Sequence, residues 1–228
     1  MQLIILLPSF LLFLYVMYRL IKDDYVFIRK NISLEYVFDL LFISGVFGLF
    51  FARFFFVLFH IQENRQLFSL FFSPQIYEFS FFGAFIGGAG FLYLVGKYKK
   101  LPIERFFDFF TLAFVCALPI AFVGFALFAQ DIARIFLLGN AFVYGIFAVF
   151  CLKYVYPKLS SRELKEGNVA IIFLFFFAVV LLINTILLTG KREIVIVSTE
   201  SIVLFIFLLV SVFLFIRQNR RGFLNKKR

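Results

Sequence analysis

Apolar residues in this chain come in long blocks separated by short polar stretches. The blocks cover roughly Leu3–Ile21, Val37–Phe59, Phe79–Leu94, Phe107–Phe128, Ile135–Tyr156, Ala170–Leu188 and Ile202–Ile216. A helix needs roughly 20 residues to cross a hydrocarbon core of about 30 Å. In that medium each backbone N–H and C=O must be paired within the protein, so an apolar block of this length is read as a helix. The third and seventh blocks are short and are expected to extend into their flanks. The mixed stretch Arg65–Tyr77, with Phe68, Leu70, Phe71 and Phe72 beside Pro74, reads as an interfacial or re-entrant piece. The expectation is an all-α membrane protein with seven transmembrane helices, organised as a single transmembrane domain over residues 1–228.

Composition removes the soluble alternatives. Of 228 residues 64% are hydrophobic, and the mean hydropathy is +1.03. A soluble domain of this size has too little interior for so much apolar surface. The net charge of +10 therefore points to anionic lipid at the membrane surface and away from nucleic acid. Cys116 and Cys151 both lie inside apolar blocks and read as small core residues, with no disulfide framework or metal site. No cofactor is expected. The opening MQLIILLPSF has no basic region and is followed by no small-residue cleavage site, so a removable signal peptide is not expected.

Lys and Arg alternate between rich and poor connections. Lys22, Arg29 and Lys30 follow the first block. Lys97, Lys99, Lys100 and Arg105 follow the third, and Lys153, Lys158, Arg162 and Lys165 the fifth. A basic tail at 217–228 closes the chain. The connections between are poorer: Arg65, then Arg134, then Lys191 with Arg192. Cytoplasmic loops carry the excess of Lys and Arg, which predicts an outside N-terminus and a cytoplasmic C-terminus.

Few polar residues interrupt the blocks. Asp39 and Asp108 fall near the predicted cytoplasmic ends of blocks two and four, where a carboxylate is favoured beside a helix N-terminus; a structural role is the bland reading of both. Arg53 lies deeper, roughly two turns from the outer end of block two. Snorkelling would keep it tolerable, but a planar guanidinium fork is also what a phosphate-binding cavity uses. His60 is the single histidine. It serves as a base only if it is held in place and a substrate reaches it. Gly83 and Gly87 have the small-xxx-small spacing that lets helices approach closely. Pro119 predicts a kink in the fourth helix.

Four segments together resemble the prolipoprotein diacylglyceryl transferase family. They are Ser33 to Leu40 with its continuation Arg53-Phe-Phe-Phe-Val-Leu-Phe59, the run Phe79-Ser-Phe-Phe-Gly-Ala-Phe-Ile-Gly-Gly88, Phe107-Asp-Phe109 with Pro119 later, and Ser198-Thr-Glu-Ser-Ile-Val-Leu204 before the basic tail. The order and spacing run almost end to end. The second segment is the most specific, being similar to the family's Met-Ser-Phe-His-Gly-Gly-Leu-Ile-Gly-Gly. The resemblance implies a seven-span protein of the bacterial cytoplasmic membrane. Such an enzyme moves a diacylglyceryl group from phosphatidylglycerol to the thiol of a lipobox cysteine in a prolipoprotein signal segment. The chemistry calls for a base to raise the thiolate fraction and cations to hold the phosphate leaving group. On this reading His60 is the candidate base, and Arg53, Ser80, Gly83 and Arg134 are the candidate lipid- and phosphate-binding residues.

The chain departs from the family pattern where its charges stand. Phe82 occupies the position of the motif histidine. The stretch Gly124–Ala129 has no charge where a second arginine is expected, and near Leu181–Thr185 only Asn184 and Thr185 are polar. No tyrosine precedes Tyr15 in the first block. Two alternatives therefore stand beside the active transferase. One is a family member that binds lipid or prolipoprotein without chemistry. The other is an unrelated polytopic membrane protein or transporter, against which the scarcity of intramembrane charge and the lack of an inverted repeat both count.

Overall fold

The computed structural model describes residues 2–59, 80–129, 131–189 and 199–225. These residues form helices and turns and no strand. We label the helices α1 (Gln2–Lys22), α2 (Tyr25–Arg29), α3 (Leu34–Phe59), α4 (Phe81–Tyr98), α5 (Ile103–Ala126), α6 (Asp131–Phe150), α7 (Tyr156–Ser160), α8 (Asn168–Thr189) and α9 (Thr199–Asn225). Each of the apolar blocks is helical. The third and seventh extend beyond their apolar residues, as α4 and α9. α9 continues through Arg217, Arg220 and Arg221 to Asn225, so most of the expected basic tail is helix. Arg and Gln are good helix formers, and that propensity carries the helix past its apolar part. The stretch Arg65–Tyr77 lies outside the described residues.

Among the described residues, three helical stretches are long and apolar enough to cross a membrane: Leu34–Leu58, Ile103–Ala126 and Ala133–Ser160. Shorter apolar stretches are Asn168–Asn184 and Leu204–Gln218. α5 runs continuously through Pro119. Between α6 and α7 the chain widens into a π turn, Cys151–Val155, in which the Tyr156 N–H donates to Cys151 O. Pro157 follows at once. Its ring would clash with the carbonyl four residues back in an ordinary α turn, and the wider turn relieves that crowding.

The chain divides into two compact units, Ile21–Ile103 and the remainder, Met1–Leu20 with Glu104–Arg228. The first unit is built on the α3–α4 pair. Ser44 Oγ donates to Gly88 O at 3.0 Å, and Phe47 stacks on Phe91 with ring centroids 4.4 Å apart. Glycines make this approach possible. A Cβ on Gly83 would collide with Phe51 O and lie 2.7 Å from Ala52 Cα, and one on Gly87 would lie 2.8 Å from Phe47 O. These obstacles are backbone atoms, which cannot swing away as a side chain can.

Aromatic packing dominates the second unit. Tyr144 of α6 is fully buried, stacked against Phe122 of α5 at 5.4 Å and set edge-on to Phe176 of α8 at 5.8 Å. Phe147 stacks on Phe176 at 4.0 Å, and Phe13 of α1 meets Phe110 of α5 edge-on at 5.3 Å. In a lipid solvent, burying apolar area drives little association, so close aromatic contacts of this kind supply the packing energy.

Candidate functional site at the Arg53 end of α3

Arg53 is 5% exposed, with its guanidinium 5.6 Å from the centre of the Phe56 ring. The contact is one helical turn along α3 and is of cation–π type. The entry to α4 is fastened at the same level. Ser80 N donates to Ala52 O at 3.0 Å, one residue from Arg53. Ser80 is the N-cap of α4, and its Oγ accepts from Gly83 N at 3.3 Å. Capping by a serine hydroxyl satisfies one of the amides that a helix start leaves open. Gly83 then lets the first turn of α4 lie directly on Phe51 and Ala52. The backbone therefore brings residues 53, 80 and 83 to one level of the α3–α4 pair, through Ala52 O with Ser80 N and the close approach at Gly83.

The remaining sequence candidates fall elsewhere. His60 lies outside the described residues. Arg134 is exposed in the first turn of α6, in the other compact unit, and Asp39 is exposed in the second turn of α3.

Asp108 is fully buried in α5 and caps a helix that is not its own. Its carboxyl oxygens accept from Gly167 N at 2.6 Å and from Ala170 N at 3.0 Å, across the start of α8. The turn into α8 passes through Gly167 at φ +87°, in the left-handed region that suits glycine.

Three polar features were not anticipated. Arg105 sits in the first turn of α5, 4% exposed, and not in a solvated loop. It pairs with Glu166 at 3.3 Å and lies 5.5 Å from the centre of the Phe109 ring. Gln218 of α9 donates through Nε2 to Glu166 O, and Lys165 Nζ donates to Gln218 O at 2.9 Å. This polar knot ties α5, the turn before α8, and α9 together. Within the apolar part, Asn184 Nδ2 of α8 donates to Asn140 Oδ1 of α6 at 2.8 Å. The available signal was an isolated Asn in each of two apolar blocks, since a lone amide in lipid seeks a partner on a neighbouring helix. For the charged knot, loop position concealed the burial.

No group of His, Cys, Asp and Glu suited to a metal ion occurs among the described residues.

Apolar helices of this length and small-residue packing define a polytopic helical membrane protein. The family model of the prolipoprotein diacylglyceryl transferases matches residues 3–133, more than half of the chain. The chain belongs to that family. No curated protein and no solved structure matches it.

Proposed function

We propose that this protein is a phosphatidylglycerol–prolipoprotein diacylglyceryl transferase acting at the outer leaflet of a bacterial cytoplasmic membrane. The observation that carries the reading is the buried Arg53 beside the Ser80-capped start of α4, within the residues that match the family. The Arg53 guanidinium and the first amides of α4 would hold the lipid phosphate, with the Ser80 hydroxyl as a further donor and the glycine at 83 leaving room for close approach. His60 would take the proton of the substrate thiol. The thiolate sulfur would attack the glycerol carbon that bears the phosphate; the S–C bond forms, the C–O bond breaks, and glycerol phosphate leaves. Seven crossings, with the N-terminus outside, would put Arg53, His60 and Arg134 on the same side of the membrane, as the loop charges predict.

A second reading is favoured by Phe82 at the position of the family histidine and by the uncharged Gly124–Ala129 stretch. On this reading the protein binds the lipid or the prolipoprotein and does no chemistry.

A transfer assay separates the two. Purified protein is reconstituted with labelled phosphatidylglycerol and a lipobox peptide, beside an active family member. Label on the peptide cysteine is expected, with a loss of at least tenfold in Arg53→Ala and a comparable loss in His60→Ala. Full activity in His60→Ala would remove that residue as the base. No label from the wild type, with the reference enzyme working, would establish the binding-only reading.

A further inference from the structure

The α3–α4 pair has a second charged end, away from Arg53. Here the turn between α2 and α3 meets the turn after α4. Lys30 Nζ donates to Lys100 O at 3.3 Å, and both turns bend through left-handed residues, Asn31 at φ 52° and Lys100 at φ 54°. This fold brings Arg29 and Lys30 beside Lys97, Lys99 and Lys100, all exposed. Three acidic residues of the same turns, Asp23, Asp24 and Glu35, stand against these five cations. Asp24 is buried, with Oδ1 accepting from Val26 N and Phe27 N at the start of α2, while Asp23 and Glu35 remain exposed. Exposed apolar side chains stand among the cations: Ile28 at 62% and Tyr98 at 82%, with Lys99 Nζ 5.8 Å from the Tyr98 ring centre.

We propose that this paired turn is a binding site for the phosphate headgroup of an anionic phospholipid. Charge complementarity names the sign of the ligand. Position names its source. Lys97, Lys99 and Lys100 stand where an apolar helix ends, which is headgroup depth, and an aromatic ring beside basic side chains is the usual composition of that layer. The site is separate from the transferase reading. It lies at the far ends of both helices from Arg53 and Ser80, and it needs no reaction.

The full-length protein in detergent is offered equal amounts of phosphatidylserine and phosphatidylcholine, and the retained lipids are weighed by native mass spectrometry. Phosphatidylserine is chosen so that the proposed transfer donor is absent. The wild type is expected to retain phosphatidylserine in preference, less so at high salt. A cation near an anionic surface contributes about fivefold, so K97A/K99A/K100A should lose at least tenfold of the preference. K97R/K99R/K100R should keep it. Helical circular dichroism confirms that each variant is folded. An unchanged preference in the folded triple alanine variant, or equal loss in the arginine variant, would overturn the proposal.

Discussion

Asp108 shows how one carboxyl joins parts of a chain distant in sequence. It is fully buried, and its partners are the backbone amides of Gly167 and Ala170. Leaving two buried amides without acceptors costs about 1–3 kcal/mol each. Asp108→Ala should therefore unfold at clearly lower temperature or denaturant, and Asp108→Asn, which keeps one oxygen acceptor, should fall between. Equal midpoints for the alanine variant and the wild type would show that the amides find other acceptors. Arg53 is buried too, beside Ala52, whose carbonyl is taken by Ser80 N. For the proposed phosphate contact its planar fork is what a lysine would not reproduce.

At the scale of elements, the α3–α4 pair depends on two glycines being glycine. Gly83 and Gly87 face backbone atoms of Phe51, Ala52 and Phe47 at distances that no Cβ tolerates, while Gly90 on the same helix has nothing within 4 Å of its would-be Cβ. Gly83→Ala and Gly87→Ala should each destabilise the pair by about 1–3 kcal/mol, the usual range for overpacking. Gly90→Ala should be neutral or slightly stabilising, because alanine is the better helix former. Thermal midpoints of the three variants in one detergent check this. If Gly90→Ala proves as harmful as Gly83→Ala, close approach to backbone atoms is not what makes the glycines of this helix costly to replace. The same substitutions bear on the site, since moving α4 outward carries Ser80 away from Ala52.

For the whole molecule, the family match ends at residue 133, just inside α6, so the structure beyond it is this chain's own evidence. There Asn140 meets Asn184, and Glu166, Lys165 and Gln218 form a knot that reaches back to Arg105 within the matched part. The proposed topology of seven crossings puts the two termini on opposite sides. Reporter fusions at the two ends, or labelling of single cysteines placed there in a cysteine-free background, should report outside for the first and cytoplasmic for the second. Both ends on one side would require an even number of crossings, and an N-terminus found inside would separate Arg53 from the leaflet proposed for it.

The helical character of this protein, the apolar body of each long helix and the membrane as its solvent were set by local information: apolar blocks of membrane length and a composition that water would not accept. The short α2 and α7, and the stretch Arg217–Asn225 by which α9 outruns its apolar block, were not. The resemblance carried by Arg53, Ser80 and the glycines at 83, 87 and 88 was equally legible, since it rests on residues close together in the chain. The pairings were not legible. That Asp108 caps α8, that Arg105 is buried against Glu166 and that Asn140 meets Asn184 depend on how one helix registers against another. Apolar periodicity says which residues avoid water, but a lipid-facing residue and a helix-facing residue are both apolar. Only the tertiary structure, by bringing backbones together at the glycines and polar groups together at the helix ends, decided which face met which neighbour.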